Sequence, residues 1–132
     1  MSKLMKNKRN KKDKNLKSLY LKKYDEKIID IRMADDFFSR LMGLMFRENA
    51  EVPLLFEIPQ KINSRKRSSI HSLFMRFDIV LVFVDENNLV YEIVDLAPWN
   101  YYVPEKSAKY ILEFDKKEFN NCLRIGDEIE IK

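Results

Sequence analysis

Residues 79–97, IVLVFVDENNLVYEIVDLA, decide the fold. Ile79 to Val84 form an apolar run of strand length, which reads as a buried strand. DENN at 85–88 follows with side chains that close local turns or tolerate positive φ. LVYEIVDLA, residues 89–97, then returns as the partner strand, so the centre of the chain is a β-hairpin.

Working outward, EKIIDIRM at 26–33 alternates as a first strand, with Ile29, Ile31 and Met33 on one side and Ile28, Asp30 and Arg32 on the other. The period changes over DDFFSRLMGLMFR, residues 35–47, where apolar residues recur at three- and four-residue spacing behind a cap at Asp35 or Asp36. One short helix is expected there, broken by Gly43. PLLFEIP, residues 53–59, is a strand or extended segment bounded by two prolines. QKINSRKRSS, residues 60–69, has neither period and reads as a loop. Downstream of the hairpin, PWNYYVPEKSA is a second loop held by Pro98 and Pro104, and KYILEF at 109–114 is another strand. DKKEFNNC supplies a helical turn or two, and LRIGDEIEIK turns at Gly126 and Asp127 into a last strand. The sum is mainly β (α+β): a small β barrel or sandwich of six to seven strands with one or two short helices.

The 132 residues are enough for one hydrophobic core, so one domain with a tail is expected. With 45% hydrophobic and 35% charged residues, no apolar run approaches the ~20 residues needed to span a bilayer. The opening MSKLMKNKRNKKDKNLKSLYLKKYDEK never becomes apolar enough for a secretory signal, which predicts a cytoplasmic protein. A single cysteine, Cys122, excludes a disulfide or thiolate metal cluster within one chain.

The net charge of +4 hides an asymmetry. Residues 1–23 carry ten Lys or Arg against one acid, a charge of +9, and leave a body with 15 basic and 20 acidic residues, or −5. The arm has too few apolar residues to offset its ordering entropy and is expected to be disordered at least to about Leu16, with the folded domain spanning 24–132. It can contact nucleic-acid phosphates through Lys8, Arg9, Lys11 and Lys12, joined by Lys61, Arg65, Lys66 and Arg67 of the second basic stretch. The plainer reading is a solvating tail, since no aromatics are interleaved before Tyr20.

Six blocks in succession support a resemblance: GLMFR (43–47), PLLFEIP (53–59), IHSLFMRFDIVLVFVDENNLV (70–90), APWNYYVP (97–104), KYILEF (109–114) and IGDEIEI (125–131). Their order resembles domain-of-unknown-function family 192, also called uncharacterised protein family 0127. The resemblance implies a compact β-rich domain whose blocks line a shared core and groove, and it implies no reaction. Two departures stand out. Where the family reads Pro-Ile-Asp, this chain has Asp78, Ile79 and Val80, and the Leu-Glu block runs on into Phe114 and Asp115 instead of Ala-Gly. Positions 78 and 80 share a strand face about 7 Å apart, so Asp78 is a candidate substitute for the missing aspartate.

The candidate site residues each have a bland alternative. His71 can act as a base or ligand, although a single half-buried histidine more commonly bonds a backbone carbonyl. Arg76 can pair with Asp78. Arg47 and Glu113 can hold a ligand in a groove or clamp each other, and the clamp is favoured because buried charges need partners. Trp99, Tyr101 and Tyr102 form either an exposed aromatic platform for a sugar, base or peptide, or a lid on the core. No second histidine, cysteine pair or calcium loop supports a metal, and no cofactor fingerprint is present. The favoured reading is a small binding or interaction module for an unknown small molecule or protein, with no integral membrane contact. Two alternatives stand beside it: a nucleic-acid-associated accessory factor, and a hydrolase or isomerase using His71, Arg76 and Glu113 as catalytic groups.

Overall fold

The computed structural model describes residues 16–34, 52–58, 70–71 and 76–132. The helix expected over 35–47, Arg47, the basic stretch at 61–67 and the arm through residue 15 lie outside them. In chain order the elements are β1 (Leu16–Leu21), a 3-10 turn (Lys22–Tyr24), β2 (Glu26–Met33), β3 (Leu54–Glu57), β4 (Ile70–His71), β5 (Ile79–Val84), β6 (Val90–Leu96), β7 (Tyr101–Tyr102), β8 (Tyr110–Asp115), α1 (Lys116–Phe119) and β9 (Ile129–Ile131). Seven strands form one sheet in the order β6-β5-β8-β3-β2-β1-β9, while β4 and β7 make a two-stranded ribbon. All pairings are antiparallel except that of β2 with β3.

The β5–β6 hairpin forms as expected. Asp85 closes its turn by accepting from the backbone N–H groups of Asn87 (2.8 Å) and Leu89 (3.1 Å), and Asn88 takes the positive φ of 63°. β5 is buried over its whole length because it lies between β6 and β8 with apolar packing on both faces. Ile79, Leu81 and Phe83 join Leu54, Phe56, Leu96 and Ile111 on one face. Val80, Val82 and Val84 join Leu19, Ile31, Leu55, Leu112 and Phe114 on the other, where Phe119 of α1 packs edge-on to Phe114 at 5.0 Å. Burying the six β5 side chains contributes on the order of 10 kcal/mol before entropy is counted. Asp115 starts α1 by accepting from the Lys117 N–H at 3.0 Å.

Two expectations need correction. The chain is mainly β as expected, but the described strands form a single open sheet with the small β4–β7 ribbon, not a barrel or a sandwich. The edge strands of this sheet meet at one corner, through a bridge between Leu89 and Glu128 and bonds such as Val90 N–H to Asp127 O (2.9 Å), and the sheet does not close. β9, three residues long, is too short to run alongside the seven residues of β6. The boundary between arm and domain also moves, because Leu16–Leu21, assigned to the arm on composition, is a strand held between β2 and β9. Only Leu19 of this strand is fully buried; two ladders of backbone hydrogen bonds supply what its side chains lack.

Candidate functional site

Glu113 occupies the middle of β8, in register with Leu54 of β3 on one side and Leu81 of β5 on the other. It is 4% exposed, and its Oε2 is buried without a hydrogen-bond partner among the described residues. Burial pushes its carboxyl up to about 8, so it is largely protonated at neutral pH. The Arg47 half of the expected clamp lies outside the described residues.

One row along the same face, β6 is irregular. Phe83 is in register with Glu92 and Val84 with Val90, which makes Tyr91 the extra residue of a bulge. Strict alternation would send Tyr91 and Glu92 to opposite faces. The bulge instead puts Tyr91 on the face of Glu92 and Phe83, and both side chains meet the segment 97–108. Glu92 accepts from the Tyr102 hydroxyl through Oε2 and from the Glu105 backbone N–H through Oε1 at 3.0 Å. The Tyr91 hydroxyl donates to the Lys106 carbonyl at 2.7 Å, and the Lys106 ammonium lies 4.7 Å from the centre of the Tyr91 ring and 3.7 Å from Asp85 Oδ2. The hydrogen bond that Tyr102 donates to Glu92, then burial, push the Tyr102 hydroxyl up to about 12, while burial and the nearby carboxylates raise Tyr91 further. Both tyrosines therefore remain donors over the physiological range. Neither Tyr91 nor Glu92 stands out in the sequence, because only the bulge gives them a common direction.

Tyr102 packs against Phe83 with the rings tilted and their centres 5.8 Å apart, and seats the 97–108 segment on this face. The other two aromatics of the loop are open to solvent, Trp99 at 60% and Tyr101 at 64% exposed. The trio is thus divided: Tyr102 packs onto the core face, while Trp99 and Tyr101 are exposed. Trp99 has a φ of 63°, in the left-handed region that a bulky residue seldom enters. It follows Pro98 in a turn whose carbonyls are held by the side chain of Asn100, which donates from Nδ2 to Ala97 O (3.3 Å) and Pro98 O (3.1 Å).

His71 places its backbone in β4, in register with Tyr101. Arg76 is exposed in the bend before β5, whereas Glu113 is closed off from solvent. Asp78 is exposed and uses its carbonyl to accept from the Lys116 N–H at 3.0 Å, while Val80 is packed in the apolar cluster of the opposite face. The arm and loop cations from Lys8 to Arg67 lie outside the described residues. In the body, Lys22 pairs with Glu128 (3.0 Å), Lys27 with Asp30 (2.7 Å), and Lys132 with Asp25 (3.0 Å) and Glu130 (3.4 Å), so each of these cations carries its own counter-charge. Among the described residues no His, Cys, Asp and Glu grouping is able to hold a metal ion, and no helix is long and apolar enough to cross a membrane.

Comparison with known proteins agrees with this architecture. A UPF0127 protein of Pyrococcus furiosus is 39% identical over 103 residues, covering 77% of this chain and 86% of the relative. A UPF0127 protein of Thermococcus sibiricus is 37% identical over 102 residues, covering 76% of this chain and 64% of the relative, so the match leaves about a third of that protein's length unspanned. A crystal structure of a protein of unknown function from Novosphingobium aromaticivorans superposes with a TM-score of 0.67 at 15% identity, over 87% of this chain and 83% of that one. At that identity the likeness speaks for the fold alone. The profile of domain-of-unknown-function family 192, described as Uncharacterized ACR, matches residues 20–131, and the chain belongs to this family.

Proposed function

We infer that the protein is a small cytoplasmic binding module that meets its partner through the aromatic loop bearing Trp99 and Tyr101. The observation that carries this reading is Trp99: a large aromatic, 60% exposed, in a left-handed backbone conformation. A tryptophan at such a position costs on the order of 1–3 kcal/mol relative to an unstrained one, a cost that burial of the exposed ring in the core does not offset. Exposed aromatic rings on a proline-bounded loop present flat apolar area with little rotamer entropy to lose, which suits a sugar ring, a base or a peptide side chain.

Trp99 is the only tryptophan of the chain, so its fluorescence reports the site directly. The full chain is titrated with oligosaccharides, single-stranded oligonucleotides and aromatic or proline-rich peptides. A saturable change in Trp99 emission with one class, abolished in Trp99→Ala when followed by calorimetry, is the expected result. Binding that survives Trp99→Ala, falls with salt and disappears on removal of residues 1–15 replaces this reading with the nucleic-acid one. The truncation stops at 15 because removing residues 1–23 would take β1 out of the sheet.

A further inference from the structure

We propose that Glu92 is the positioning residue of the aromatic loop: in register with Phe83 beside the β6 bulge, it clamps the segment 97–108 at two points and so fixes where Trp99 and Tyr101 are presented. The inference rests on the reading of that loop as the binding surface. Its geometry is independent of any ligand. The two oxygens of one carboxylate are used on two different parts of the segment, Oε2 by the hydroxyl of Tyr102, three residues after Trp99, and Oε1 by the backbone N–H of Glu105 beyond Pro104. Tyr91, brought to the same side by the bulge, adds a third tie at the Lys106 carbonyl. The ties fall on the arm of the segment after Trp99; on the arm before it, Ala97 follows directly from β6. The exposed turn at Pro98–Trp99 is therefore suspended between its parent strand and a carboxylate of that same strand.

Charge makes the clamp directional. A carboxylate only accepts, and both the Tyr102 hydroxyl and the Glu105 N–H donate to it, so each oxygen is matched to a donor. A glutamine in its place offers one acceptor and turns two N–H groups toward the remaining donor. The variants Glu92→Ala and Glu92→Gln thus differ in their consequences for the loop although both remove the charge.

The test uses the full chain and two local readouts, amide hydrogen exchange at Glu105 and steady-state anisotropy of Trp99, with exchange at Ala34 as the control. The Ala34 N–H is bonded to Leu55 O at 3.0 Å where the chain leaving β2 meets β3, a strand separated from β6 by β5 and β8. In Glu92→Ala, exchange at Glu105 is expected to quicken by roughly tenfold or more and Trp99 anisotropy to fall, with Ala34 unchanged within about twofold. Glu92→Gln is expected to fall between Glu92→Ala and the unmodified chain in both readouts. Unchanged exchange at Glu105 in Glu92→Ala overturns the proposal, as does equal acceleration at Ala34, which marks general destabilisation, or a Trp99 anisotropy that does not move. Failure of Trp99→Ala to affect binding, with the Glu92 results as expected, removes the binding surface and leaves the clamp standing.

Discussion

Glu113 and Glu92 flank β5 on one face of the same sheet, Glu113 across from Leu81 and Glu92 across from Phe83. Glu113 stands in regular β8 among apolar neighbours with an oxygen that meets no donor among the described residues. Glu92 stands beside a bulge on an edge strand and has a donor for each oxygen. The difference shows what a central strand and an edge strand can do with the same side chain. A regular strand between two partners directs its residue into the core whatever its chemistry, and the carboxyl adapts by holding its proton. An edge strand can take an extra residue, and the bulge brings Tyr91 to the face where the Glu92 carboxylate meets groups that need one.

The largest effect that can break this comparison is the pH dependence of stability. Glu113 has a folded value of about 8 against an ordinary 4.5, so between these values the folded chain holds a proton that the unfolded chain has lost. Stability from this group is complete below about pH 4.5 and is lost as pH rises through about 8. The loss is on the order of 4 kcal/mol by pH 9. Urea unfolding at pH 5 and pH 9 should show it, and Glu113→Gln, which keeps the shape without the titration, should flatten it. A Glu113→Gln chain as sensitive to pH as its parent would mean that a cation outside the described residues holds the carboxylate.

The second effect comes from Glu92. Truncation to alanine removes two charge-assisted bonds at a half-buried site and should lower unfolding stability by about 2 kcal/mol. Tyr102→Phe should lower it by about 1 kcal/mol, since it removes one bond and leaves the packing against Phe83 in place. If Tyr102→Phe equals Glu92→Ala, the Glu105 N–H contributes nothing and the clamp has a single point.

These two residues also show how far the sequence could be read. Glu113 was legible as a charged residue inside a strand, because ILEF leaves it flanked by apolar positions in a run that must pair. The hairpin, β2, β3, β8, the turn at Gly126 and the helical turn capped by Asp115 were legible for the same reason: period and turn chemistry act locally. Glu92 was not. In LVYEIVDLA the alternation places it away from Tyr91, and the bulge that reverses this depends on how Val84 and Phe83 meet their partners. β1 was hidden likewise, since LKSLYL lies in basic surroundings and becomes a strand by pairing with β9, more than a hundred residues later. The open sheet follows from the length of β9, which apolar alternation does not set.

The smallest effect tests whether the position that Glu92 secures is a strained one. At φ 63° Trp99 occupies a conformation that glycine adopts without a Cβ penalty, so Trp99→Gly should relieve strain in the folded chain. Glycine also loosens the unfolded chain and gives up the contacts of the covered part of the ring, which together offset part of the gain. The net should be a stabilisation of about 1 kcal/mol, read as a higher urea midpoint with an unchanged slope. A stabilising change that also removes binding would place Trp99 among residues kept at the expense of stability. If Trp99→Gly destabilises instead, the ring is packed as part of the fold, and the loop held by Glu92 is a lid like Tyr102 throughout.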